Sequence, residues 1–278
     1  MPGRPSPLSS VSPKRLGASA AVALLLLTLS ALPEAAPAAS ADGGSMTRQQ
    51  VIAALRRAGA ARPDLSARSF AGADLSGINF KGANLSASVL NGANLRQADL
   101  AHCNLTVAFG QHADFRDADL REAQMFSMQL QDADLSGANL DGARLIGDLT
   151  DAHLDGAKLE GLRAGADMTN QSMGLMNARF ESASLTRADL RNADLGQADL
   201  KFADLSGADL AGASLLWADL SGADLRGADL RHADLRHATL IDADFTAAKL
   251  TGARFGAATL RNTRGLADAR QRGALGLP

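Results

Sequence analysis

The chain has 278 residues, with 28 Lys and Arg against 30 Asp and Glu, a formal net charge of −2, one Trp, no Tyr and one Cys. That balance lacks the basic excess of a nucleic-acid binder, and so few aromatics leave little with which to stack bases. A lone Cys103 excludes an internal disulfide framework.

Arg4, Lys14 and Arg15 precede an apolar run from Ala18 to Leu32, and the small residues of PEAAPAASA follow. Basic, then apolar, then small is the order of a secretory signal peptide. Ala39 and Ala41 suit the −3 and −1 positions, so residues 1–41 are read as a signal peptide of the general secretory type. Cleavage after Ala41 would leave Asp42 first and the protein periplasmic or secreted. The run falls short of the ~20 residues a stable membrane span needs, so no span is expected in the mature chain. Retention of the segment as an uncleaved anchor is the alternative. Losing Arg4, Lys14, Arg15 and Glu34 moves the formal net charge to −4, which is mildly acidic.

Residues 42–62 are expected to hold a capping helix. In MTRQQVIAALRRAGA, Thr47 and Gln50 have the spacing of a capping box, while Val51, Ile52, Leu55 and Ala58 make one apolar face.

From residue 63 to residue 262 the pattern changes. In RGADLRHADLRHATLIDADF, Leu or Phe returns at every fifth residue. A step of five advances an α-helix by roughly 140° beyond full turns, which scatters the leucines. An odd step also throws them onto alternate faces of a strand. Ala stands two residues before each Leu, however, and positions two apart do share a strand face. Each unit therefore reads as a short extended piece with Ala and Leu inward, followed by a corner that absorbs the odd residue. Corners of one hand wind the chain into a β-solenoid. Every central position from Phe180 to Leu260 is Leu or Phe with Ala two before; from Leu65 to Leu145 the rule is looser, with lapses at Gly110 and Met125.

This A-(D/N)-L-x-x pattern resembles the pentapeptide-repeat family. The resemblance implies an all-β fold, a right-handed quadrilateral β-solenoid with four repeats per coil and short α-helical caps at both ends. About ten coils at ~4.8 Å each would span roughly 50 Å. Cys103 takes an inward Ala-type slot, which makes it a buried structural thiol. Residues twenty apart should stack, so Met128 should fill the hole that Gly110 leaves at a central slot. Between 146 and 179 the phase slips: Leu149, Leu154 and Leu159 come one residue early, and the motif is lost from Glu160 to Asn177. One deletion and one insertion cancel there, giving a distorted coil or a projecting loop. Family members that protect DNA gyrase carry loops important to that activity, which makes this interruption a candidate element; a tolerated surface irregularity is the other reading. Residues 263–278 form a C-terminal cap or tail, with a short helix expected near Ala267 to Ala274.

No motif points to catalysis. His102, His112, His153, His232 and His237 have no paired metal-ligand spacing, and neither a nucleophile elbow nor a phosphate-binding glycine loop is present. No catalytic, cofactor-binding or metal site is assigned, no cofactor is called for, and a convex coil packed with Leu should offer no cavity for a small substrate. The aspartates before each Leu should stack in columns, with Arg226, Arg231 and Arg236 neutralising them. The outward positions of the regular half are mostly Ser, Gly, Arg and Asp, against which Phe202, Leu216, Trp217 and His237 stand out. They are the candidate interaction surface, with a corner lid over the Leu column or a homodimer seam as alternatives. The expected function is that of a non-enzymatic, exported interaction or scaffold module with a protein partner. The alternative drawn from the family is a DNA mimic that protects a type II topoisomerase, if the chain is not exported.

Overall fold

The computed structural model describes residues 44–59, 61–80, 82–165, 177–267, 269 and 272–277. The segment read as a signal peptide lies outside the described residues.

One repeat shows why the motif folds as it does. In Ala203-Asp204-Leu205-Ser206-Gly207, Leu205 N–H donates to Asp224 O (2.8 Å) and Gly207 N–H to Arg226 O (2.9 Å), both in the next coil. Asp204 N–H donates back to Ala183 O (3.0 Å) in the preceding coil. Ala208 N–H closes a turn onto Leu205 O (3.0 Å). One N–H, that of Ser206, is left, and the Asp204 carboxylate takes it: Oδ1 accepts at 2.9 Å. Buried or half-buried backbone donors must be satisfied, and this is the physical reason for Asp or Asn before the central residue. Repeat after repeat shows the same bond, as in Ser66 to Asp64, Ser86 to Asn84 and Ala211 to Asp209.

Among the described residues, every corner but that at Ile146 and the one interrupted by residues 166–176 is a β-turn whose third residue has a positive φ, as a type II turn requires. Glycines such as Gly207 (φ 68°) and Gly212 (φ 71°) meet that demand without strain, which accounts for the recurring SGAD and RGAD. Central and Ala-type side chains point inward and form one continuous buried core from Leu65 to Phe255. The residue before each central position bridges its counterpart one coil away in parallel, so Asp204 sits between Ser184 and Asp224. The core repairs its own lapse: a Cβ on Gly110 would meet Met128 Cε at 3.2 Å and Leu130 Cδ2 at 3.1 Å. Cys103 is buried as expected, and burial pushes its thiol up to about 12.

The irregular region resolves into two separate events. Strands β1 (Gln124–Gln129) and β2 (Arg144–Asp148) pair in parallel, Phe126 with Ile146 but Gln129 with Asp148, so β2 is one residue short. The missing residue is a corner residue. Ile146 alone turns the chain and becomes buried, and Gly147 takes the Ala-type slot. Bridges then run nineteen residues apart, as Asp134 with His153, until Asp148 pairs with Arg179 at a separation of 31. The coil therefore does not lose its course at Glu160. It continues through Leu162 and Ala164, both buried, with the large and small slots exchanged. Residues 166–176 lie outside the described residues.

At the N-terminal end, α1 (Arg48–Ala58) starts from the expected capping box: Thr47 N–H donates to Gln50 Oε1 (2.7 Å), and Gln50 N–H to Thr47 Oγ1 (3.4 Å). Val51 and Leu55 are buried in the core cluster. Arg48 ties the helix down through Ser76 O (2.7 Å). At the other end a short helix was expected near Ala267–Ala274. The described residues of that stretch turn instead, and Leu275 adds a last bridge to Arg254. Gly265 (φ 77°) and Gly273 (φ 87°) are left-handed, a conformation that interrupts an α-helix.

Candidate interaction surface

Trp217 occupies a positive-φ corner position (φ 63°) that Gly fills at some corners and residues such as Gln197 and His237 at others, and 58% of its surface is exposed. A bulky side chain there costs about 1 kcal/mol in backbone strain. The backbone places Gln197 one coil before it and His237 one coil after, since Gln197 N–H donates to Leu216 O (2.8 Å) and Trp217 N–H to Arg236 O (3.1 Å). Its indole lies flat on the His237 ring, with centroids 4.0 Å apart and planes 7° from parallel. Leu216 is half-buried beside it. Phe202 (φ 57°, 62% exposed) sits on the next corner, where its ring covers Gly222: a Cβ there would lie 2.5 Å from Phe202 Cδ1. The four candidate residues thus form a stacked pair with a half-buried Leu, and a separate aromatic across one face.

Sequence reasoning missed the rest of this corner. Followed through the bridges, the corner of Leu216 and Trp217 is the corner of Thr106, Val107, Phe126, Ser127 and Ile146 in the other half. Counting by twenties could not connect them across a deletion and a long insertion. Val89 and Phe109 stand half-buried on the face that follows this corner.

The aspartate columns are clamped as anticipated. Arg226 reaches Asp224 with Nε and Nη2 (2.8 and 2.5 Å), and Arg231 and Arg236 hold Asp229 and Asp234 in the same way. The Arg231 guanidinium, with Lys249 Nζ at 3.1 Å from Oδ2, holds the Asp229 carboxyl down at about 2. Asp114, Asp119, Asp189, Asp224 and Asp234 are lowered too, each mainly by hydrogen bonds from the Arg two residues on. A carboxylate whose folded pKa lies below its unfolded value stabilises the fold fully above about pH 4 and loses that contribution as pH falls towards 2. The melting temperature should therefore hold from pH 7 to 5 and drop below pH 4. Asp229→Asn should remove about 1 kcal/mol at pH 7 and progressively less as pH falls to 2, since exposed guanidinium partners limit each clamp. Circular dichroism melts across that range check both.

Among the described residues, no group of three or more His, Cys, Asp and Glu side chains is placed to hold a metal, and no helix is long and apolar enough to cross a membrane. The wall is not convex everywhere, contrary to expectation. An open depression of about 640 Å³ lies where the tail leaves the coil, lined by Thr246, Lys249, Thr251 and Arg272 among others. Its charged groups are already engaged, Lys249 with Asp229 and Arg272 Nη1 with Ala248 O (2.7 Å). It is a packing seam between tail and coil.

Four five-residue sides per turn, inward Ala and Leu, and Asp-capped type II corners define a pentapeptide-repeat β-solenoid. The chain belongs to the pentapeptide-repeat family. It matches "Pentapeptide repeats" over residues 129–163, 175–212, 188–227 and 228–264, and "Pentapeptide repeat region" over 64–145. It is similar to HetL, a pentapeptide repeat protein involved in heterocyst differentiation regulation from the cyanobacterium Nostoc sp., with 33% identity, 73% of this chain and 86% of that one covered, and a TM-score of 0.54. QnrB1, a plasmid-mediated fluoroquinolone resistance protein, is 19% identical over 70% of this chain and 84% of its own, with a TM-score of 0.41. A pentapeptide repeat protein from the Arabidopsis thaliana thylakoid lumen is 40% identical over 31% of this chain and 56% of its own, with a TM-score of 0.21. No curated protein matches.

Proposed function

We propose that the chain is an exported, non-enzymatic interaction module that acts by protein–protein contact through the corner of Leu216, Trp217 and His237, with Phe202 beside it. One observation carries this reading: Trp217, a large side chain more than half exposed, stacks flat on His237 on the outside of the coil. An exposed, pre-ordered aromatic is the composition of an interface anchor. The Arg clamps on the aspartate columns favour this reading over DNA mimicry, because a mimic needs its carboxylates uncompensated. Export rests on the order of charges and apolar residues before Asp42.

Two measurements test the proposal. Mass spectrometry of the protein from its native host should find Asp42 at the N-terminus; a chain beginning at Met1 or Met46 would remove the export reading and revive the topoisomerase alternative. Trp217→Ala should weaken association by roughly 2 kcal/mol or more while barely moving the melting temperature. Lost stability with association intact would make Trp217 a lid.

A further inference from the structure

Charge is not spread evenly along the rod. Residues 82–244 carry 13 Lys and Arg against 25 Asp and Glu, whereas residues 44–81 carry 6 against 2. The two acids of that N-terminal end are already engaged: Asp64 accepts from Ser66 N–H and Oγ, and Asp74 from Ser76 N–H and Oγ. Among the described residues, none of Arg48, Arg56, Arg57, Arg62 and Arg68 is in an ion pair. They surround the first coil. Arg48 bonds Ser76 O (2.7 Å) at one corner, Arg62 Nη2 reaches His102 O (3.4 Å) at the next, and Arg68 follows the corner of Ser66 and Ala67. Arg56 and Arg57 are exposed in the last turn of α1. The opposite end, residues 245–278, is basic as well, 6 against 1, but there Lys249 and Arg264 are paired with Asp229 (3.1 Å) and Asp244 (3.4 Å).

We infer that the N-terminal end docks on the surface of an anionic lipid bilayer, with α1 against the headgroups and the rod standing on its end. Five guanidiniums spread over a helix and three corners suit a plane of negative charge better than a single phosphate, on which they would have to converge. The aromatics of this end, Phe70 and Phe80, are fully buried, so nothing is left on which to stack a base. A charged surface attracts cations only within about a Debye length, ~8 Å at physiological salt. Standing on end brings the arginines into that layer and keeps the acidic shaft out of it; lying flat would press the shaft's carboxylates against like charge. The apolar run of residues 18–32 ends 16 residues before Arg48, so whatever brings that run to a bilayer brings this end with it.

Vesicle flotation of the full chain purified from its host tests this, with phosphatidylcholine alone compared with phosphatidylcholine holding about one-third phosphatidylglycerol. The parent should float with the anionic vesicles at ~100 mM salt and be released at ~500 mM. Arg56→Gln/Arg57→Gln should bind them roughly 30-fold more weakly, and Arg68→Gln, on the coil, roughly 5-fold. Gln matches Arg as a helix former, so circular dichroism should show α1 and the melt retained. Arg254→Gln/Arg261→Gln at the other end should bind as the parent does, as should Trp217→Ala, so this inference and the interaction surface above fail separately. Equal binding to neutral and anionic vesicles would overturn it, since an apolar leader acts on both. So would helix and coil variants that bind like the parent, or an opposite-end variant that loses as much. Retention by duplex DNA without flotation would replace the bilayer with another polyanion.

Discussion

Leu205→Asp should unfold the coils around it. Leu205 is fully buried, its N–H joins it to the next coil, and the Asp204 carboxylate beside it caps its own corner. The substitution removes an apolar side chain worth about 3 kcal/mol and leaves a carboxylate in an interior with no cation to pair it. We expect a loss of about 5 kcal/mol or more, with circular dichroism showing lost β-signal at a temperature where the parent is intact. Leu205→Ala should cost about 3 kcal/mol, and Ser206→Asp, one residue on at the outer corner, should cost little. Because a solenoid is a chain of nearest-neighbour contacts, the damage should spread from coil to coil until it meets more stable repeats. If Leu205→Asp melted with the parent, the inward assignment of the central positions would fail.

The inward positions were legible because a strict repeat states the same constraint many times over. A single Ala-x-Leu is uninformative; its return at every fifth residue from Phe180 to Leu260 leaves few geometries. Local packing was legible for the same reason: residues twenty apart stack, so Met128 could be assigned to the hole at Gly110. What escaped was whatever depends on backbone hydrogen bonds. The aspartates looked like surface charge, and only the accounting of Ser206 N–H and its equivalents shows them as caps of the corner. The exchange of Leu162 and Ala164 also escaped, because it keeps the volume of the core while breaking the letter of the motif. The candidate surface was half legible. Trp217 and His237 are one coil apart and stack, but their common corner with Val107 and Phe126 depends on bridges of 19 and 31 residues that no fixed period reveals.

Gly147→Ala should be far more damaging than the same exchange at Gly110 or Gly156. In the shortened β2, Ile146 makes the whole corner, and the chain is drawn in so far that a Cβ on Gly147 would sit 2.3 Å from Met128 O and 3.2 Å from Met128 N and C. Those atoms belong to β1 backbone, so no rotamer change can clear them. Relief requires β1 and β2 to separate, which weakens the bridge of Gln129 to Asp148 and the bond from Arg179 N–H to Gly147 O (2.9 Å). Overpacking of this kind costs about 3 kcal/mol. Two other glycines calibrate the result. Gly110→Ala meets the ends of Met128 and Leu130, which can shift, with Gln129 O at an ordinary 3.5 Å, and should cost under about 1 kcal/mol. Gly156→Ala meets nothing within 4 Å but must hold a φ of 64°, for roughly 1 kcal/mol. Denaturant unfolding of the three variants should therefore place Gly147→Ala well below the other two. Equal midpoints for all three would mean that β2 has room to spare, and that the short side is not what draws the coil in at Ile146.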